Sequence, residues 1–346
     1  CVGVPKRTHT LVVHSFIPCL HVIFTTIGFA LQIPVTETRA MTWKPRISAA
    51  AKRIAPYVQR TPVMTTQGFS LAQPIELKLE QLQHTGTFKA RGAFNTLLSG
   101  PVPQAGIVAA SGGNHGAAVA FAAQKLGHSA HIFVPEMAGP SKIALIERTG
   151  AQLTVVKGEY ANAADAAAEY EAASGAMQIH AYDAPATVAG QGTCLAEWDE
   201  QGLQADTVLI AVGGGGLIGG ALGWLAGARK VVAVEPVTSC ALNAALAKGM
   251  PCDVQVSGVA ANALGARKIG QICYDLATEH SCESVLVTDE AITAAQKALW
   301  QERRLLVEPA GAAALAALMS GAYTPAKDER VAVLLCGAHI APDPPA

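Results

Sequence analysis

From residue 41 onward, short runs of apolar and β-branched residues alternate with longer alanine-rich segments of helical period. A helix between two such runs returns the chain to the same edge of a sheet, so neighbouring strands pair in parallel. The alternation therefore predicts an α/β fold in which helices cover both faces of parallel sheets. The predicted strands are 75–79, 107–110, 130–134, 153–156, 208–212, 231–234, 284–287 and 331–335. The predicted helices are 47–57, 88–98, 116–125, 140–149, 160–174, 190–201, 219–226, 289–303 and 310–319.

The length and composition limit the class of protein. At roughly 150 residues per domain, 346 residues predict about two domains, and a hydrophobic content of 51% supplies a core for each. The 25 Lys and Arg against 26 Asp and Glu leave a net charge of -1, so the chain lacks the basic surface that nucleic-acid binding requires. The eight cysteines are too few and too scattered for a disulfide framework or a structural zinc site, which predicts a reducing, cytoplasmic location and no metal.

The first forty residues differ from the rest of the chain. A basic pair precedes an apolar stretch at 11–30, as in a signal peptide, but Pro18 and several polar residues interrupt this stretch. It is also too polar for a membrane-spanning helix. We therefore predict that residues 1–40 form an extension outside the folded core, that Met41 is the true start, and that no membrane is involved.

Four consecutive glycines at 213–216 lie between the predicted strand 208–212 and an apolar helix. Because glycine has no Cβ, such a loop can curl until several N–H groups face one anion at the helix N-terminus, where the helix dipole adds to the attraction. The pattern predicts a phosphate site that needs no Lys or Arg.

Two other interpretations of this loop stay open. Gly214, Gly216 and Gly219 also satisfy the G-x-G-x-x-G pattern, and Glu235 ends the next predicted strand where a ribose-binding acid would lie. On that interpretation the chain would be an NAD-dependent dehydrogenase. Alternatively, the glycines only allow a helix and a strand to pack closely.

Lys89 stands among small and apolar residues at the start of a predicted helix, in the stretch Thr-Gly-Thr-Phe-Lys-Ala-Arg-Gly. Phe88 and Ala90 beside it indicate burial, which lowers the pKa of a lysine and makes its amine a nucleophile. The alternative is an ordinary solvated lysine on a helix surface.

A second polar turn, Ser-Gly-Gly-Asn-His at 111–115, follows the predicted strand 107–110 and opens another alanine-rich helix. N–H groups and short polar side chains at a helix N-terminus suit a carboxylate. His115 is either a general base or a structural residue, and the whole turn could also be a simple helix cap.

Together these three stretches resemble the serine/threonine dehydratase branch of the pyridoxal-phosphate enzymes, which have the tryptophan-synthase-β-like fold and are called fold type II. The motifs occur in that family's order and approximate spacing. Further agreement is found at 189–193, 234–236, 308–312 and 335–338. The resemblance covers the chain from about residue 41 to residue 338.

The resemblance implies a particular architecture. Members of this family have two open, twisted, parallel-sheet α/β domains with the cofactor cleft between them. Transferred to this chain, the large domain comprises residues 41–105 and 184–340, and the small domain comprises residues 106–183. The resemblance also implies a homodimer.

The resemblance further implies which residues form the site. Lys89 would carry pyridoxal 5'-phosphate as a Schiff base and later act as the general base, with Phe88 beside the cofactor ring. Asn114 would bind the phenolic oxygen, and Cys336 would lie at the pyridine nitrogen. The substrate carboxylate would be held by Ser111, Gly113, Asn114 and His115. The amides around the cofactor phosphate would be those of Gly213, Gly214, Gly215, Gly216 and Leu217.

The implied reaction is β-elimination. L-threonine or L-serine would be converted to 2-oxobutanoate or pyruvate, with release of ammonia. Alternatives within the family are dehydration of another 3-hydroxy amino acid, such as hydroxyaspartate or phenylserine, and the sulfhydrylase and threonine synthase reactions. A cofactor-binding protein without turnover is also conceivable.

The sequence departs from the family pattern at several positions. Gly112 occupies the position of the second serine that racemases of this fold use as an acid/base, which argues against racemisation. The residues after Glu235 lack the Asp that completes a divalent-cation site in some relatives, so no metal is expected. His339 replaces a common Asn, and Tyr182 is a candidate pocket residue or a packing residue.

Overall fold

The computed structural model describes residues 42–338 except residues 112, 137, 139 and 159. Predictions on residues 1–40, Gly112 and His339 fall outside the described residues. The described helices are α1 Trp43–Ile54, α2 Lys89–Leu98, α3 Asn114–Leu126, α4 Pro140–Glu147, α5 Tyr160–Ser174, α6 Pro185–Glu200, α7 Gly216–Leu225, α8 Ala241–Lys248, α9 Ala261–Leu264, α10 Gln271–Glu279, α11 Asp289–Arg303 and α12 Pro309–Met319. The described strands are β1 Val63–Thr66, β2 Ile75–Leu79, β3 Ile107–Ala110, β4 Ala130–Pro135, β5 Gln152–Val156, β6 Met177–Gln178, β7 Thr207–Ala211, β8 Lys230–Pro236, β9 Glu283–Val287 and β10 Val331–Leu335.

These strands form two sheets. The six-stranded sheet has the order β1-β2-β10-β7-β8-β9, and only β1 runs antiparallel to its neighbour. The four-stranded sheet has the order β5-β4-β3-β6 and is parallel throughout. The predicted α/β class with parallel sheets is confirmed. All strands of the smaller sheet lie between residues 107 and 178, whereas the strands of the larger sheet come from before and after this stretch. The boundaries predicted for the two domains stay a prediction.

All predicted strands and helices are present, with ends shifted by a few residues. The strands β1 and β6 and the helices α8, α9 and α10 are additional to the prediction. Among the described residues, no helix is both long and apolar enough to cross a membrane.

Three helices meet at glycines, and this packing positions the site. A Cβ on Gly190 of α6 would lie 2.7 Å from the Cα of Gly92 in α2. Slightly further along α6, a Cβ on Gly220 of α7 would lie 2.4 Å from the backbone nitrogen of Gly192. Because no larger residue fits at these crossings, α2 and α7 both lie at backbone contact with α6. The beginnings of α2 and α7 are thereby brought to one place.

A buried network of ion pairs joins α2 to β2, to the residue that follows β2, and to α6. The Arg91 guanidinium donates to both carboxylate oxygens of Glu80, at 2.7 and 2.8 Å, and to Glu197 of α6 at 3.0 Å. Lys78 of β2 donates to the other oxygen of Glu197 at 2.6 Å. Burial is the largest single influence on Glu80 and disfavours its charged form, but the charge and hydrogen bonds of Arg91, the Lys78 charge and the Thr61 hydroxyl together outweigh burial and lower the pKa of this carboxyl. The network ties α2 to β2 and α6 at a point two residues from Lys89.

We predict that Arg91→Met strongly destabilises the fold. The substitution leaves the fully buried Glu80 carboxylate without its main partner, and breaking a buried pair in this way costs roughly 3–5 kcal/mol. Chemical denaturation would measure the free energy of unfolding. Arg330→Met, which breaks the exposed pair with Asp206, is the matched control and should change it far less. Equal effects of the two variants would contradict this role of the network.

Candidate active site

One pocket brings together residues that are far apart in the sequence. The glycine loop follows β7, Asn114 begins α3 shortly after β3, and Lys89 begins α2. Both loops lie at the carboxyl ends of parallel strands, where α/β sheets bind ligands. The residues that line the pocket are Phe88, Lys89, Asn114, Ala211, Gly213, Gly214, Gly215, Gly216, Leu217, Ile218, Ala263, Leu264, Glu308, Ala310 and Cys336. Of the predicted site residues, Ser111, Gly113 and His115 are not part of this lining.

The start of α2 is fixed by the end of β10. The Thr87 hydroxyl accepts a hydrogen bond from the Lys89 amide at 3.2 Å. The Phe88 amide donates to the Cys336 carbonyl at 3.2 Å, and Thr87 pairs with Gly337 in an isolated bridge. The lysine and the cysteine therefore enter the pocket from adjacent backbone segments.

The Lys89 amine is less basic than that of an ordinary lysine. Its Nζ donates to the Ala181 carbonyl at 2.9 Å and lies 5.1 Å from the centre of the Phe88 ring. Burial lowers the pKa of Lys89 to about 8, and the nearby Glu308 side chain opposes this shift only in part. A substantial fraction of the amine is thus neutral near physiological pH, when an ordinary lysine is fully charged.

The glycine loop has the form of an anion cradle. Gly215 precedes α7 with φ of +93°, in the left-handed region. A Cβ on Gly214 would lie only 2.2 Å from the Tyr182 ring, so the loop is packed tightly on that side. The amides from Gly213 to Leu217 donate to no backbone or side-chain acceptor among the described residues. Unbonded amides at a helix N-terminus are the donors that a phosphate requires.

Asn114 and Glu308 form a polar pair inside the pocket. Asn114 is 8% exposed, and its Nδ2 donates to Oε1 of Glu308 at 2.6 Å. Glu308 is 4% exposed and stands at the N-cap position of α12, where its amide donates to the Gly337 carbonyl. Glu308 is absent from the residues predicted from the sequence. Its signals in the sequence are the Glu-Pro stretch, which is typical of an ordinary helix start, and the family resemblance at 308–312.

Cys336 contributes a neutral sulfur. It is buried, and its Sγ lies 3.4 Å from the Ala310 carbonyl. Burial, reinforced by the Glu308 charge, raises the pKa of this thiol well above its usual range. At neutral pH the group is therefore an uncharged thiol.

The predicted carboxylate turn lies beside the pocket. The Ser111 hydroxyl accepts from the Gly113 amide at 3.1 Å, and Gly113 is the N-cap of α3. Nε2 of His115 lies 2.9 Å from the Ile179 carbonyl. Burial, with the Lys89 charge nearby, lowers the pKa of His115 to about 3, so the ring is neutral and Nε2 is the donor of this bond. Its role in substrate binding stays a prediction.

Glu235, which both metal and ribose binding would use, has a different partner set here. Its two oxygens accept from the amides of Leu242 and Asn243 at 2.8 Å each, at the start of α8. Burial raises the pKa of this carboxyl to about 7. Within the part of the chain that the structure describes, no group of His, Cys, Asp and Glu side chains is arranged to hold a metal ion.

Comparison with known protein families matches residues 54–337 to the family described as pyridoxal-phosphate dependent enzyme. The chain belongs to this family. The resemblance stated from the sequence is therefore confirmed, as is the cofactor: this is an enzyme of the fold type II, pyridoxal-phosphate-dependent class.

Curated relatives narrow the reaction class. The chain is 35% identical to phenylserine dehydratase of Ralstonia pickettii over 86% of its own length and 94% of the relative's. It is 34% identical to L-threonine ammonia-lyase of Geobacter sulfurreducens, over 84% and 74%. It is 30% identical to beta-hydroxyaspartate dehydratase of Paracoccus denitrificans, over 84% and 94%. The dehydratases are thus the chain's relatives, and they differ from one another in substrate.

Solved structures agree on the fold. A threonine deaminase from T.th. superposes with a TM-score of 0.80 at 33% identity, over 87% of this chain and 99% of that one. Maize serine racemase superposes with a TM-score of 0.82 at 29% identity, over 86% and 94%.

The residues of the pocket fit the cofactor. The unbonded amides of the glycine loop match its phosphate, and the Lys89 amine of lowered pKa matches its aldehyde. The absence of side chains at Gly213 to Gly216 leaves the approach to those amides open.

We predict that Gly214→Ala impairs cofactor binding. The new Cβ would collide with the Tyr182 ring, so the loop or the ring must move, and such overpacking costs about 1–3 kcal/mol. We expect the dissociation constant for pyridoxal phosphate, measured by absorbance titration, to rise about tenfold or more. Gly219→Ala is the control, because its Cβ would lie an ordinary 3.5 Å from Cys273. Equal affinity in both variants would argue against this geometry.

We also predict an unusual pH profile for Lys89 in the cofactor-free protein. Only the neutral amine reacts with a small aldehyde, so modification followed by borohydride should rise with pH around a midpoint of about 8. Glu308→Gln removes a negative charge that favours the ammonium form, so the midpoint should move to lower pH. Mass spectrometry of the Lys89 peptide would measure both. A midpoint at the ordinary 10.5 would contradict burial of the amine.

Proposed function

We propose that this enzyme is a dehydratase of neutral 3-hydroxy amino acids that converts L-threonine, L-serine or both to the 2-oxo acid and ammonia by β-elimination. The observation that carries the proposal is the position of the Lys89 amine. It lies in one pocket with a free-amide glycine loop, a buried Asn–Glu pair and a neutral thiol. The dehydratases among the relatives support the same reaction class.

Each side of the pocket would hold one part of the cofactor. The Lys89 amine would bind its aldehyde carbon, and the amides of Gly213 to Leu217 would bind its phosphate. Asn114 would donate to the phenolic oxygen, and Cys336 would lie at the pyridine nitrogen. When bound, pyridoxal phosphate withdraws electrons from the substrate Cα–H bond and makes that proton acidic.

Cys336 would set the strength of this effect. A neutral thiol, unlike a carboxylate, does not stabilise a protonated pyridine nitrogen, so the ring is a weaker electron acceptor. Early loss of a β-hydroxyl suits such a ring better than a reaction that requires a long-lived carbanion.

Lys89 would be the general base that removes the Cα proton. Its lowered pKa makes a neutral amine available near neutral pH, and the bond to the Ala181 carbonyl orients that amine. The start of α3, from Ser111 to His115, would bind the substrate carboxylate through its amides and the helix dipole.

The charges of the pocket favour a neutral substrate side chain. Among the described lining residues, Lys89 is the one basic side chain and Glu308 the one carboxylate. The side chain of hydroxyaspartate would therefore meet no second cation there, whereas serine, threonine and phenylserine side chains require none. Racemisation is disfavoured because Gly112 has no side chain that could exchange a proton.

The expected partners and location belong to the same proposal. The substrate is an amino acid, and the enzyme forms a homodimer in the cytoplasm. All six cysteines within the described residues are free thiols, which is compatible with a reducing compartment.

The test is product release with and without the lysine. Wild-type holoenzyme should release equal amounts of 2-oxo acid and ammonia from L-serine or L-threonine, with phenylserine and hydroxyaspartate assayed in parallel. Lys89→Ala should lower the rate at least 1000-fold, on the order of the loss seen when a base or nucleophile is removed. Lys297→Ala, on the exposed face of α11, is the control and should retain full activity.

Two results would contradict the proposal. One is substantial 2-oxo acid release by Lys89→Ala. The other is a wild-type enzyme that binds the cofactor but eliminates water from none of the neutral 3-hydroxy amino acids.

A further inference from the structure

The connection between β6 and α6, residues 180–183, contacts the site at two of its residues. The Ala181 carbonyl accepts from Lys89 Nζ, and the Tyr182 ring lies against Gly214. The Asp183 carboxylate accepts from the amides of Gln271 and Ile272 at 3.0 Å each and thereby caps α10. The backbone of this connection is thus firmly fixed.

His180, the first residue of the connection, has one ring nitrogen fully committed. Its Nδ1 accepts from the amide of Asp183 at 2.8 Å and from that of Tyr182 at 3.3 Å. A nitrogen that accepts two N–H groups carries no proton of its own. The neutral ring must therefore be protonated at Nε2, and this proton has a fixed direction.

The other side of the ring is available. The His180 side chain is exposed and packs edge-on against Tyr182, with 4.8 Å between ring centres. Its Nε2 has no hydrogen-bond partner among the residues that the structure describes. A donor with a fixed proton and no partner is thus presented one residue from the carbonyl that holds Lys89.

The pKa of His180 depends on burial and on two charged side chains. Partial burial lowers the pKa of His180, Asp183 opposes this, and the Lys89 charge lowers it further. His180 in turn contributes to the low pKa of His115. Both imidazoles therefore have pKa values below the ordinary range and are neutral at neutral pH.

We propose that His180 is a substrate-contacting residue whose Nε2–H donates a hydrogen bond to the β-hydroxyl of the bound 3-hydroxy amino acid. The inference rests on the proposed function. A neutral donor suits a neutral hydroxyl oxygen, whereas the substrate carboxylate is assigned to the start of α3. His180 keeps its proton throughout; the proton that Lys89 removes from Cα is passed to the departing oxygen, so that the β-hydroxyl leaves as water. The bond strengthens as the Cβ–O electron pair moves onto oxygen, so its main effect is on the rate of elimination.

A conservative variant distinguishes the role of Nδ1 from that of Nε2. In His180→Asn, the side-chain Oδ1 can take the place of Nδ1 as acceptor for the Tyr182 and Asp183 amides, because Asn forms such turns readily. The variant has no counterpart of Nε2. His180→Ala loses both functions and should show a lower melting temperature. His280→Asn, at the far end of α10, is the matched control for the substitution type.

L-alanine provides a readout that does not depend on turnover. It has the carboxylate and the amine of the substrate but no β-hydroxyl, and its binding is measured by the absorbance change of the bound cofactor. For His180→Asn we expect an affinity for L-alanine within about twofold of wild type. The kcat/KM for L-serine and L-threonine should fall about tenfold, which is the size expected for one lost hydrogen bond. His280→Asn should leave both values unchanged.

The inference is overturned if His180→Asn retains wild-type kcat/KM, or if its affinity for L-alanine falls as much as its kcat/KM for L-serine. The second result would show that His180 supports the fold or the carboxylate site instead. A wild-type enzyme whose cofactor responds to L-alanine but which dehydrates no neutral 3-hydroxy amino acid would refute the proposed function, and this inference with it.

Discussion

The backbone contact of α2 and α7 with α6 is the constraint on which the site depends. At Gly190 and Gly220 a single methyl group would overlap the facing helix, so the three helices can lie this close only with glycine there. Since Lys89 begins α2 and the glycine loop begins α7, this packing sets the distance between the amine and the phosphate cradle. The Arg91–Glu80 pair then fixes α2 against the sheet from the other side. The chemistry of the pocket is therefore a consequence of helix packing outside it.

Burial converts this geometry into reactivity. It removes water from the Lys89 ammonium and so lowers its pKa, and it keeps the thiol of Cys336 protonated. Glu308 is the one carboxylate among the described lining residues, and its bond to Asn114 holds that amide in place. The pocket thus combines a neutral amine, a neutral thiol and free backbone amides, a set that binds a phosphate and an aldehyde without a cluster of cationic side chains.

Local sequence signals were sufficient for most of the fold, and Lys89 and the glycine loop, which the same signals single out, both line the pocket. The strands β3 and β10 are continuous apolar runs, β2 alternates apolar with charged residues, and the predicted bounds of all three agree with the structure. Helices α8 and α10 have no capping residue adjacent in sequence; their first amides are bonded by Glu235 and by the distant Asp183. These capping contacts form only in the tertiary fold, so the starts of α8 and α10 could not be predicted from the local sequence. The same reason applies to Glu308, whose side chain meets Asn114 across 194 residues of sequence, and to His180, whose free nitrogen depends on a turn that composition does not reveal.

The account stands on Lys89 as the residue that binds the cofactor. The most direct test is the visible absorption spectrum of the purified protein before and after borohydride, followed by peptide mapping. The account predicts a yellow band that borohydride removes, with a single pyridoxyl group fixed on Lys89. A protein that stays colourless after incubation with pyridoxal phosphate, or a label on any other lysine, would contradict it.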